Sequence, residues 1–160
     1  MNDQGNIPTA AAQQLAEMGL EGFPPYLMNR IMGRYNAAVR QEMAVQGLTT
    51  PQMRSLAVLS VIDGILIREL AVYTVVPQST LSRALDPLAR DGLIRRVTDA
   101  EDSRATRVFL TDTGRAAYNR LWPHLTRANE AMFAGISDTE KRALIGTLKT
   151  MLRNIRKHDF

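Results

Sequence analysis

The 160-residue chain contains no cysteine. That removes disulfides, thiolate nucleophiles, cysteine redox sensing and zinc sites built on thiolates. Histidine is scarce as well, with His124 and His158 alone, so a metal-dependent switch has few ligands to draw on and neither metal nor cofactor is expected. No uninterrupted apolar run reaches membrane-spanning length, and the opening MNDQGNIPTAAAQQ lacks the basic-then-apolar order of a secretory leader. A soluble cytoplasmic protein is the expectation. No nucleophile, base and orienting residue are spaced into a recognisable set, and no Gly-rich phosphate loop follows a strand, which argues against an enzyme. What is present is a moderate basic excess, a formal charge of +4 with a pI of about 9.8. It permits nucleic-acid binding without demanding it. The length suits one structural unit with separable lobes.

Taken in order, residues 1–22 are polar, Ala-rich and Gly-containing, and predict a partly mobile arm with a short helix from Ala10 to Met18. Phe23-Pro24-Pro25-Tyr26 opens a helix, proline being tolerated in a first turn, and Leu27, Ile31, Tyr35, Ala38 and Val39 continue it toward a stop at Gly47. Leu48-Thr49-Thr50-Pro51 has the form of an N-cap threonine followed by proline at the first helical position, with Met53, Leu56, Ala57 and Leu59 behind it and Asp63-Gly64 at its end. Ile65 to Ile67 is long enough only for an edge strand or connector. A short helix from Arg68 to Tyr73 follows, without a capping side chain in front of it. Thr74-Val75-Val76-Pro77 predicts an extended link, because proline restrains the residue before it. Two helices joined by a tight turn make a helix-turn-helix.

From Gln78 to Thr111 the chain carries a helix and then a hairpin. Leu81, Leu85 and Leu88 recur at helical spacing and leave Gln78, Ser79, Ser82 and Arg83 on other sides. Two short runs of apolar-polar alternation then flank the charged tip Asp99-Ala100-Glu101-Asp102-Ser103-Arg104-Ala105. Beyond it, Thr111-Asp112-Thr113-Gly114 caps a long helix through Leu121, Leu125, Ala128 and Met132, with a kink predicted at Pro123. Ser137 and Glu140 form a capping box before a final helix with a wide stripe of Leu144, Ile145, Leu148, Met151, Leu152 and Ile155. A partner subunit is the natural place for the surplus apolar surface.

Leu48-Thr49-Thr50-Pro51-Gln52, Glu69-Leu70-Ala71, Ser82-Arg83-Ala84-Leu85, Leu88, Gly92-Leu93-Ile94-Arg95-Arg96, and Asp102-Ser103-Arg104 followed by Val108-Phe109-Leu110-Thr111 together resemble the MarR family of bacterial winged-helix regulators. The resemblance spans residues 23 to 157 and rests on the order and spacing of the pieces. It implies a mainly α fold with a small β-hairpin wing (α+β), in which N- and C-terminal helices form a dimerisation region. In domains this means an arm at 1–22, a dimerisation helix at 23–47, a winged helix-turn-helix at 48–111 and dimerisation helices at 112–160. It further implies a homodimeric repressor of a pseudo-palindromic operator, relieved by a small phenolic or anionic ligand. A winged-helix protein–protein interaction module without specific DNA binding is the alternative. Three departures stand out: Ile67 where the family often has Ser or Thr, Pro87 inside the recognition helix, and Met53 in place of a large aromatic.

On this reading Gln78, Ser79, Thr80, Ser82 and Arg83 reach base edges from the first turns of the recognition helix, Arg83 being the best single candidate. A capped, solvated helix start fits the same residues. Arg104 enters the adjacent minor groove, oriented by Asp102 or merely ion-paired with it. Asp99, Glu101 and Asp102 crowd the tip with negative charge, which Arg95, Arg96 and Arg107 offset. Arg96 and Arg68 join the DNA-contact set, Arg68 as a phosphate contact. An effector pocket would draw on Met28, Met32, Tyr35 and Met53, residue types that serve equally as core or dimer packing.

Overall fold

The computed structural model describes residues 16–156. The start of the predicted arm, most of the Ala10–Met18 helix and His158 lie outside them. Residues 16–18 are helical and Leu20–Gly22 forms a single 3-10 turn. The chain divides into two compact units, one up to Ala38 and one from Val39 onward.

Helix α1 (Pro24–Val45) begins with its two prolines, at positions whose amide hydrogens have no helical acceptor in any case. Phe23, Leu27, Ile31 and Met32 are exposed on it. Its last turns bury Val39 and Met43, and it stops where expected: Gly47 adopts φ +67° and the Leu48 N–H reaches back to the Met43 carbonyl at 2.9 Å.

Helix α2 (Thr50–Leu59) starts one residue earlier than the proline suggests, with Thr49 as N-cap and Pro51 in the first turn. Asp63 and Gly64 lie past its end and serve the sheet instead. Asp63 Oδ1 accepts the Leu110 N–H at 2.7 Å, and Gly64, at φ +71°, offers its carbonyl to Arg107 Nη1 at 2.9 Å. Strand β1 (Ile65–Leu66) passes directly into helix α3 (Ile67–Thr74). Although no capping side chain precedes α3, the Glu69 carboxylate reaches back and accepts the Leu66 N–H at 3.4 Å.

The link between α3 and helix α4 (Gln78–Arg90) is not extended throughout. Val75 sits in the left-handed region at φ 55°, ψ 48°, which closes the turn through Val76 N–H to Ala71 O at 3.1 Å. A β-branched residue pays roughly 1–2 kcal/mol for that conformation. Leu81, Leu85 and Leu88 of α4 are fully buried as their spacing predicts, and α4 runs on through Pro87.

Strands β2 (Ile94–Thr98) and β3 (Thr106–Leu110) form the hairpin. The antiparallel sheet has the order β1-β3-β2, with Ile65 opposite Val108, Ile94 opposite Leu110 and Thr98 opposite Thr106. Its inner face closes over a core of Leu56, Leu59, Leu70, Leu81, Leu85, Leu88, Ile94 and Val108. Helix α5 (Asp112–Met132) is capped by Thr111, whose side chain accepts the Gly114 N–H at 3.0 Å, and continues past Pro123 without a break. Helix α6 (Asp138–Ile155) opens on the predicted Ser137–Glu140 box. No residue of α6 is buried.

Candidate nucleic-acid interface

The first turn of α3, the first turns of α4 and the wing tip enclose an open groove of about 310 Å³. Into it converge Arg68, Gln78, Ser82, Asp102, Arg104 and Thr106. Five of these were singled out from sequence, where they lie up to 36 positions apart (Arg68 to Arg104). Helix α4 enters from Pro77, which has no side-chain acceptor, so the amides of its first turn keep no capping partner. Such a start is open to an anion. Ser79, Thr80 and Arg83 are exposed beside the groove, and Arg83 Nε rests on the Ser79 carbonyl at 3.3 Å.

At the wing, Asp102 Oδ1 accepts both the backbone N–H of Arg104 at 3.0 Å and its Nε at 3.4 Å. The guanidinium is thereby aimed while its side chain stays 91% exposed. Asp102 thus turns the tip and points its cation, as the Asp-x-Arg spacing suggests.

The remaining wing charges are arranged differently from the expected crowd. Asp99 is buried, with Oδ1 accepting the N–H groups of Glu101 and Asp102 at 3.0 Å each and Oδ2 accepting Arg107 Nε. The backbone N–H groups of Asp102 and Glu101, followed by the Arg107 guanidinium, hold the Asp99 carboxyl below the usual carboxylate range. It is a brace inside the tip, and its negative charge is answered locally. Arg95 lies over the Phe109 ring, 4.0 Å from the centroid. Arg96 turns toward α4: Nη1 pairs with Asp86 and Nη2 donates to the Ser82 carbonyl, both at 2.8 Å. Two residues of this neighbourhood have roles that the sequence reading does not give, Gln52 and Asp63. Asp63 bonds across 47 positions of sequence and leaves no local trace. Gln52 does leave one, since Thr49-x-x-Gln52 has the spacing of a capping box.

The effector-pocket candidates fall in both compact units. Met28 and Tyr35 are half-buried and Met32 exposed in the first, where burial pushes the Tyr35 phenol up; Met53 is buried on α2 in the second. His124 on α5 lies 3.2 Å from the Glu42 carboxylate and 2.8 Å from Arg127 Nη2.

A model of the MarR family matches residues 46–105. The Pseudomonas putida HTH-type transcriptional repressor IacR is 24% identical over 139 residues, covering 87% of this chain and 83% of its own. The crystal structure of a MarR family transcriptional regulator from Silicibacter pomeroyi is 56% identical, spans 91% of this chain and 99% of its own, and superposes with a TM-score of 0.87. Bordetella bronchiseptica BpsR, whose DNA binding is regulated by 6-hydroxynicotinic acid, is similar in fold, with 24% identity, coverage of 79% and 96%, and a TM-score of 0.69. The mainly helical architecture with its small antiparallel sheet matches these winged-helix structures. The relatives are transcriptional regulators and not enzymes, and among the described residues no helix is long and apolar enough to cross a membrane.

Proposed function

We propose, because the chain belongs to the MarR family of transcriptional regulators, that it is a cytoplasmic homodimeric repressor reading a pseudo-palindromic operator and released by a small phenolic or anionic ligand. The observation that carries this reading is the convergence of Arg68, Gln78, Ser82, Asp102 and Arg104 on one groove beside an uncapped helix start. Gln78, Ser79, Thr80, Ser82 and Arg83 are assigned to the major groove, Arg104 to the adjacent minor groove and Arg68 to phosphate. Arg96, expected from sequence among the DNA contacts, acts through α4, because its guanidinium is occupied by Asp86 and Ser82.

The division into a reading lobe at 48–111 and dimerisation segments at 23–47 and 112–160, with an arm at 1–22, is supported by the exposed apolar residues along α1 and α6. Two lobes would then meet half-sites about one helical turn, ~34 Å, apart. Ligand relief is suggested by BpsR and its 6-hydroxynicotinic acid. Met28, Met32, Tyr35 and Met53 remain the candidates for that contact.

Selection from a random duplex pool, followed by titration at fixed salt, tests the assignment. Arg83→Ala and Arg104→Ala should each weaken the selected duplex by about 1–3 kcal/mol, Arg83→Ala relaxing preference at one base pair and Arg104→Ala lowering preference for A/T-rich flanks. Unchanged affinity in both variants would refute the placement of the site. Release of the duplex by added phenolic acids tests the ligand.

A further inference from the structure

Pro87 in the middle of α4 has no N–H to give the Arg83 carbonyl, and its ring crowds that carbonyl. The turn that presents Ser82 and Arg83 is therefore short of its own helical bonding. On both sides of Arg83 the backbone is taken up by side chains from other elements. Arg96 Nη2, from β2, donates to the Ser82 carbonyl at 2.8 Å, and Gln52 Nε2, from α2, donates to the Ala84 carbonyl at 3.2 Å. Gln52 is buried, and its Oε1 accepts the Thr49 N–H at 2.8 Å and the Thr49 hydroxyl at 3.0 Å. One side chain thus ties the entry of α2 to the helix that carries Arg83.

We infer that Gln52, with Arg96 opposite it, is a positioning residue for sequence readout: the two donors clamp the Ser82–Ala84 turn, so that Ser82 and Arg83 meet base edges at a fixed height and angle. The inference rests on the DNA-reading function proposed above. Capping α2 uses only the oxygen of the Gln52 amide. The nitrogen is free for a second task, and it is spent on the backbone beside the reading side chains. A loosened turn still brings the same charges to phosphate but no longer holds the geometry that a bidentate base contact needs.

Gln52→Glu separates the two tasks. It keeps an oxygen for Thr49, and glutamate is a good residue at this position of a capping box, but it sets a second oxygen against Ala84 where the N–H stood. The full-length protein carrying it should lose about tenfold in affinity for the selected operator, the order of one mismatched base pair. Affinity for random duplex at the same salt should stay within about twofold, since phosphate contacts dominate it. Gln52→Met and Arg96→Met should behave alike, and amide exchange in the segment from Ser79 to Leu85 should quicken in all three. If the buried carboxylate unfolds the first variant, Gln52→Met removes cap and clamp together while Arg96→Met leaves the cap intact, and quickened exchange from Ser79 to Leu85 in both identifies the clamp. If these variants keep the parent's ratio of operator to random affinity, or leave exchange in that segment unchanged, Gln52 is a cap alone and the clamp is overturned. A parent protein that selects no duplex overturns the DNA reading instead, and the exchange measurement, which needs no DNA, still decides whether Gln52 holds the turn.

Discussion

The winged lobe and helix α6 are built from the same residue types and treat them in opposite ways. In the lobe, Leu56, Leu59, Leu70, Leu81 and Leu85 are all 0% exposed. In α6, Leu144, Ile145 and Leu148 are each at least 40% exposed, Leu152 reaches 63% and Ile155 76%. The lobe surrounds its leucines with three helices and a sheet, whereas α6 carries its stripe on one side only. Helical periodicity announces an apolar face in both cases and is silent about what covers it. Burying a leucine or isoleucine is worth about 1.5–3 kcal/mol. The stripe on α6 is thus uncovered in the single chain, where the proposed dimer would bury it, and the lobe is a core already closed.

The closed side breaks most severely at Gly114. A Cβ there would stand 1.9 Å from the Leu93 backbone carbonyl and 2.8 Å from Leu110 Cδ1. The backbone has little room to retreat, because the neighbouring Thr111 donates its N–H to that same carbonyl at 3.1 Å and its hydroxyl to Gly92 O at 2.6 Å. Gly114→Ala should therefore cost on the order of 4 kcal/mol, in the range of severe core lesions, measured as a fall in the urea midpoint. A midpoint within error of the parent would mean that the entry of α5 yields and that the lobe is less closed than its burial suggests.

The open side breaks at Leu148. A charge on the stripe costs a lone protomer little, since the side chain is already 40% exposed, but it opposes any face that packs there. Leu148→Glu should turn the proposed dimer into monomer in sedimentation at micromolar concentration. It should also lower operator affinity by roughly a hundredfold, through loss of the second linked half-site. An intact dimer would place the partner face elsewhere.

The same contrast explains what could be read from sequence. The leucine stripe of α4, the Ser137–Glu140 box, the Thr111 cap and the two strands of the wing all follow from spacing within a few residues. Bonds that join distant segments do not: Gln52 meets Ala84 across 32 positions, Arg107 meets Gly64 across 43 and Asp63 meets Leu110 across 47. Asp99 is recognisable in sequence as a charge but not as an inward one, so it joins the expected crowd of negative charge at the tip, whereas in the structure it braces that tip. In sequence Val75 reads as extended because Pro77 restrains Val76, yet the tight turn between the two helices is closed by Val75 in the left-handed region. Val75 is also 81% exposed, so its side chain returns little packing for the strain.

Val75→Gly should accordingly stabilise the lobe. The left-handed penalty of about 1–2 kcal/mol is relieved, less the ~0.4–1 kcal/mol that glycine's freedom adds to the unfolded chain. A net gain of roughly 0.5–1 kcal/mol should appear as a rise of a few degrees in melting temperature. A fall would show that the exposed valine is held by something beyond the turn.

The smallest expected effect lies at Asp99, where the closed lobe reaches out into its wing. Two backbone N–H groups and Arg107 favour the ionised carboxylate in the folded tip and hold its pKa below the ordinary value. A group depressed on folding contributes stability that is fully present above its unfolded pKa, about 3.9, and is lost as pH falls through the folded value. Asp99→Asn should therefore be less stable than the parent from pH 7 down to about 5, with the difference shrinking below pH 4 as the parent's own carboxylate takes up its proton. Denaturant melts across that range, with exchange of the Glu101 and Asp102 amides as the local probe, would follow it. A difference that stays constant with pH would mean that the brace works through shape alone, since Asn keeps an oxygen for both amides, and that the ion pair with Arg107 adds nothing to the wing.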